Sequence, residues 1–207
     1  MTQTELLNFN QTGDKRLAVK KIEARANSIF VLDSLPDQIN WIHILSGKCL
    51  FNNKVLSNEQ ICYIPEGLKV SFRATEDTSI LLCTVNGYRR FEQEVADPGS
   101  SMRIVDWKNE PVLQSEYDDR KRIYVATRGL WGTNSVKGEI ILYPKNTKAP
   151  AHHHEGAEHF QYILSGYGCA FVDGKEIMVE TGDLVYNYEN EIHWFDNKES
   201  DLFSFVE

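Results

Sequence analysis

Residues 151–166 read AHHHEGAEHFQYILSG and hold four of the chain's six histidines. A fifth, His193, follows the turn at Glu189-Asn190, and the sixth, His43, lies far upstream. Side chains alternate along a strand, so His152 and His154 face one way and His153 the other. A turn through Glu155-Gly156-Ala157 then returns Glu158 or His159 beside them, and His193 starts another short strand. Imidazole suits Zn, Fe, Mn, Ni and Cu, and four converging nitrogen or oxygen donors suit one divalent ion. The pattern predicts a metal site, with His153 as an outward neighbour.

The elements that must position these residues are short and rich in Val, Ile, Tyr and Phe, as in EIILYP (139–144), CAFVDGKEIMVE (169–180) and DLVYNY (183–188). Turn formers separate them, and Asp173-Gly174 reads as a two-residue hairpin. No long amphipathic helix stands out, so the expectation is an all-β barrel or sandwich. The design occurs twice. Ile44-Leu45-Ser46-Gly47 matches Ile163-Leu164-Ser165-Gly166, and Pro65-Glu66-Gly67 falls on Tyr188-Glu189-Asn190. Two β units follow, joined by a charged segment with DPGSS and SEYDDRKR.

At this point the chain resembles the cupins, whose first motif is G(x)5HxH(x)3–4E(x)6G and whose second is G(x)5PxG(x)2H(x)3N. His152, His154, His159 and Gly166 follow the first, with histidine in the glutamate position. Gly182, Tyr188, Asn190, His193 and Asn197 follow the second, with Tyr and Asn replacing Pro and Gly. The resemblance implies two jelly-roll barrels in tandem: a degenerate one over 1–85, a linker over 86–122, and a metal-binding one over 123–207. It implies His152, His154, His159 and His193 as ligands of one divalent ion (Fe, Mn, Ni, Cu or Zn). One extra residue before the glycine would put Glu158 in place of His159. The ILSG frame turns His159, Gln161 and Ile163 inward and Phe160, Tyr162 and Leu164 outward.

In the earlier copy Asp33, Leu35 and Asn40 occupy the first-motif ligand positions and Val70 replaces His193, so that barrel is expected to be metal-free. His43 reads as packing.

Four neutral imidazoles would leave an ion its full charge, favouring an enolate or carboxylate substrate. Glu158, Gln161, Tyr186 and Arg128 are the candidate catalytic residues, Arg128 being placed on a strand before the site as a carboxylate binder. Glu158, Gln161 and Asn197 are candidates to accept hydrogen bonds from the outer imidazole nitrogens. Phe195 with Tyr186 or Tyr143 would shape an inward pocket. The resemblance implies an enzyme acting on a small oxygen-rich molecule, first a dioxygenase and next a redox-neutral isomerase, cyclase or lyase. A non-enzymatic small-molecule-binding cupin is the reading from another class.

Composition sets outer bounds. Over 207 residues the formal net charge is −8, which argues against nucleic acid or an anionic membrane as partner. MTQTELLNFNQTGDKR lacks the pattern of a signal peptide, and no apolar run could cross a bilayer, so a cytoplasmic location is expected. Cys49, Cys62, Cys83 and Cys169 form no CxxC pair and read as buried free thiols. Cupin resemblance also implies a homodimer.

Overall fold

The computed structural model describes residues 1–91 and 102–207. These form two compact units, Met1–Asn109 with Val125–Lys137, and Glu110–Tyr124 with Gly138–Glu207. Among the described residues every long element is a strand. The longest α-helix, α1 (Arg128–Trp131), is a single turn, capped by the Thr127 hydroxyl at its start and by left-handed Gly132 at its end.

The first unit uses β1 (Thr2–Leu7), β2 (Leu17–Ala24), β3 (Ile29–Asp33), β4 (Gln38–Ser46), β5 (Cys49–Phe51), β6 (Lys54–Leu56), β7 (Gln60–Ile64), β8 (Lys69–Ala74), β9 (Thr78–Asn86) and β10 (Arg103–Asp106). One sheet has the order β1-β2-β9-β4-β7-β10 and the other β3-β8-β5-β6. The strand β8, KVSFRA, alternates strictly between exposed and buried, sending Val70, Phe72 and Ala74 to the core. They meet Ile42, Ile44, Cys62, Ile64 and Ile80 from the facing sheet. Period-two patterning thus fills a sandwich from both sides.

The second unit repeats the plan with β11 (Leu113–Gln114), β12 (Lys121–Ala126), β13 (Gly138–Pro144), β14 (Thr147–Lys148), β15 (His159–Ser165), β16 (Tyr167–Val172), β17 (Lys175–Glu180), β18 (Leu184–Asn187), β19 (His193–Asn197) and β20 (Leu202–Val206). Its sheets run β11-β12-β13-β20-β15-β18 and β14-β19-β16-β17. Between them lie Ile141, Tyr143, Ile163, Val185, Phe203 and Phe205 from one side and Ala170, Val179 and Phe195 from the other. Ile163 is inward as the ILSG frame predicts, while Phe160 and Tyr162 are buried without joining this core.

Atomic detail confirms that the repeat is structural. Both ILSG segments break register at the same point, between Ile44 and Ser46 against β9 and between Ile163 and Ser165 against β20, the mark of a bulge at the leucine. Gly47 and Gly166 then take φ of +76° and +77°, and an added Cβ would sit 2.2 Å from the Asp77 carbonyl oxygen and 2.3 Å from that of Leu202. Only glycine fits either place. The hairpin between β16 and β17 turns on Asp173-Gly174 as expected, with its counterpart at Asn52-Asn53, and all four residues have positive φ. Gly67 and Asn190 likewise share a left-handed backbone, which makes Val70 the counterpart of His193.

The segment 86–122, expected as a linker, is largely built into the units. Arg103–Asp106 pairs with β7, because Ile104 and Val105 supply apolar faces between charged neighbours. Within SEYDDRKR, Ser115–Arg120 form a loop closed by the Asp118–Arg120 ion pair at 2.8 Å and by a bond from the Ser115 amide to the Arg120 carbonyl, and Lys121-Arg122 open β12. The DPGSS stretch (97–101) lies outside the described residues. All four cysteines are free and buried, and burial pushes the thiols of Cys49 and Cys62 up to about 11 and about 12.

Candidate metal centre

Three segments of the second unit bring the histidines together. His152 and His193 face each other across an isolated antiparallel bridge in which each amide bonds the other's carbonyl, at 3.1 and 2.9 Å. The loop carrying His154 is held against the 188–192 turn by two bonds. The Asn190 amide donates to the His154 carbonyl at 2.9 Å, and the Gly156 amide donates to Glu189 Oε1 at 2.7 Å. His159 starts β15, opposite Asn187 of β18.

The rings converge. Centroids lie 4.5 Å apart for His152–His193, 4.6 Å for both His154–His159 and His159–His193, and 5.2 Å for His152–His154. Nitrogens of His152, His154 and His193 lie within 4.8 Å of one another. His153 takes no part; its ring faces the Glu155 carboxylate at 3.7 Å.

Protonation favours metal binding. Nδ1 of His152 lies 2.9 Å from the Pro150 carbonyl, and Nδ1 of His193 lies 2.8 Å from that of Glu191. In both rings the proton on Nδ1 is fixed by a carbonyl two residues back, leaving the Nε2 lone pair free. Nε2 of His159 is buried with no hydrogen-bond partner, an orphan that an ion would satisfy. Burial, then the neighbouring His193, His154 and His152 rings, push His159 down to about 3. Burial also lowers His193 to about 4, against the opposing bond to Glu191. Both stay neutral at neutral pH, the form that ligates. The four side chains fit a divalent ion.

The other expected residues are distributed differently. Glu158 accepts a hydrogen bond from the Tyr186 hydroxyl. Tyr186 alternates on β18 with inward Val185 and Asn187, so this pair sits on the sheet face opposite His159, and Tyr186 does not line an inward pocket. Arg128 is on no strand: it is exposed, opens α1 and belongs to the first unit, because the Thr127 cap and Gly132 stop turn TRGLWG into a helical turn. Asn197 locks the 197–200 turn, bonding the carbonyls of Tyr143 and Ser200 and the Ser200 amide, instead of an imidazole. Tyr143 and Phe195 are inward but serve as core, with Tyr143 receiving a bond from Arg120 at 3.3 Å.

Gln161 is inward and 1% exposed, as the strand's facing requires. Its Oε1 accepts a 2.8 Å bond from Asn187 Nδ2. The sequence reading missed Asn187. Register alone reveals it, since it stands across the ladder from His159.

In the first unit the matching positions do other work. Asn40 is bonded to Ser34 at 2.9 Å and receives a bond from Thr84 at 2.6 Å. Asp33 pairs with Lys69, Leu35 is exposed and Val70 is core. His43 is buried at 3% exposure and desolvated down to about 4.

The sequence profile of the cupin domain matches residues 139–207, the stretch that carries β13 to β20 and His152, His154, His159 and His193. Residues 139–207 belong to the cupin family. Solved structures extend the same fold over the whole chain as two cupin barrels in tandem. The chain is similar to the putative glyoxylate induced protein of Pseudomonas aeruginosa, at 12% identity and a TM-score of 0.80 over 99% of this chain and 78% of that one. A cupin 2 conserved barrel domain protein of Leptotrichia buccalis aligns at 13% identity and a TM-score of 0.66, over 99% and 86%. Oxalate decarboxylase of Bacillus subtilis, in a structure described for its Mn(II) centres, aligns at 13% identity and a TM-score of 0.70 over 92% and 68%. No curated protein matches the sequence. Among the described residues no helix is long and apolar enough to cross a membrane.

Proposed function

We propose that the second cupin barrel holds one divalent metal ion with His152, His154, His159 and His193, and that this centre transforms a small oxygen-rich organic molecule. The observation that carries the reading is the convergence of four rings with a buried, unpartnered His159 Nε2 among them. A divalent ion there would supply Lewis acidity to an enolate or carboxylate. The chain's part is to keep His159 and His193 neutral by burial and to aim the rings of His152 and His193 through their Nδ1 bonds. Four uncharged donors leave the ion's charge uncancelled, which favours anionic oxygen.

The first reaction class is O₂-dependent cleavage of an enolisable or diol substrate. The second is redox-neutral lyase or isomerase chemistry, supported by fold likeness to oxalate decarboxylase, a protein with Mn(II) centres. Elemental mass spectrometry on protein purified without a tag or added metal tests the centre, with about one ion per chain expected. Oxygen uptake with diols and diketones then separates the classes. Absence of metal, even after incubation with each ion, would refute the enzyme reading.

A further inference from the structure

Beside the histidines the second barrel holds a buried amide pair whose hydrogen bonding is incomplete. Asn187 is fully buried and Gln161 is 1% exposed. Asn187 Nδ2 donates to Gln161 Oε1, and this bond fixes the Asn187 amide so that Oδ1 is its remaining acceptor. That oxygen is buried with no hydrogen-bond partner. Asn187 is on the inward face of β18, with Val185 of the core, and is the cross-strand neighbour of His159. Two unpartnered buried atoms, Asn187 Oδ1 and His159 Nε2, therefore belong to directly paired residues. Leaving a buried carbonyl unsatisfied is costly, so each of these atoms calls for a complement that the fold itself does not supply.

We propose that Asn187, held by Gln161, is the acceptor that positions a hydroxyl-bearing ligand at the four-histidine site, an inference that rests on the metal-centre reading above. A carbonyl oxygen needs a donor. A hydroxyl supplies one, whereas a fully ionised dicarboxylate offers only acceptors and would face the partial negative charge of Oδ1. The ligand class is accordingly an α-hydroxy acid, enediol or vicinal diol, and ionised dicarboxylates such as oxalate are selected against. A site built to bond a hydroxyl discriminates through its own unpaired group when the hydroxyl is missing.

The test uses full-length protein loaded with Mn(II), or with whichever ion elemental analysis finds, titrated calorimetrically with glycolate and with oxalate. Asn187→Leu is expected to weaken glycolate about tenfold, the worth of one hydrogen bond, without weakening oxalate and at unchanged metal content. Gln161→Met, which untethers Asn187 but leaves its oxygen, is expected to weaken glycolate by a smaller factor and stands in if Asn187→Leu does not fold. Equal weakening of both ligands, unchanged glycolate binding, or loss of metal from these variants would overturn the proposal while leaving the metal centre intact in the wild type. A wild type that takes up no metal would overturn the metal-centre reading, and this inference with it.

Discussion

Replacing His159 by leucine separates what the metal site does for function from what it costs the fold. The imidazole is buried, its Nε2 has no partner, and desolvation lowers it to about 3. An unsatisfied buried nitrogen costs about 1–3 kcal/mol. His159→Leu should therefore stabilise the metal-free protein by about that much near neutral pH. Acid widens the gap. The folded-state value lies below the ordinary 6.5 of an unfolded histidine, so the unfolded chain binds the extra proton first. Wild-type stability is thus full above about 6.5 and is lost as pH falls towards about 3. At about pH 5 the unfolded imidazole is some 1.5 units below its pKa, which adds about 2 kcal/mol in favour of the leucine variant. At about pH 7.5, metal at a hundred times its dissociation constant should offset or reverse this order, because wild type alone gains about 2.7 kcal/mol. At about pH 5 the leucine variant should remain the more stable. Denaturant titrations of both proteins, with chelator and with metal, at about pH 7.5 and about pH 5 give the four values. A leucine variant less stable than wild type without metal at both pH values would show that His159 is already satisfied in the fold.

His154→Ala and His193→Ala should abolish metal uptake measured by elemental analysis, whereas His153→Ala, outside the ring cluster, should leave it intact. Tyr186→Phe should keep full metal content and cost under about 1 kcal/mol in denaturation, since its bond to Glu158 lies on the far face of the sheet. Gly47→Ala and Gly166→Ala should each destabilise the chain by over about 2 kcal/mol, through backbone collision as well as positive φ. Gly174→Ala, with open space around it, should cost only about 1 kcal/mol in thermal melts. His43→Leu should remove about 2 kcal/mol of the stability otherwise lost between about pH 7.5 and about pH 5, because the buried imidazole must stay neutral in the fold, at about 4. A wild-type-like pH profile in that variant would contradict the burial of His43.

Near-neighbour rules determined a good deal of this protein from its sequence. His153 stands apart from His152 and His154 as alternation predicts, although only His152 makes a bridge and the other two lie in a loop, and the ILSG frame turns Gln161 and Ile163 inward. Left-handed glycines and an Asp-Gly hairpin mark the repeat, and the first copy's replacements at the ligand positions are readable one by one. Each of these depends on residues a few positions apart, where backbone geometry leaves few choices. What only the tertiary structure decided lies across the ladders. Asn187 meets Gln161 over 26 residues, and Tyr186 takes Glu158 over 28. Such pairs follow from strand register, which a one-residue slip would reverse. Backbone carbonyls aim the rings of His152 and His193, and a carbonyl leaves no trace in side-chain identity. Arg128 went astray for a related reason: its strand-like neighbours gave way to a cap and a left-handed glycine, and long-range packing then assigned that turn to the other unit.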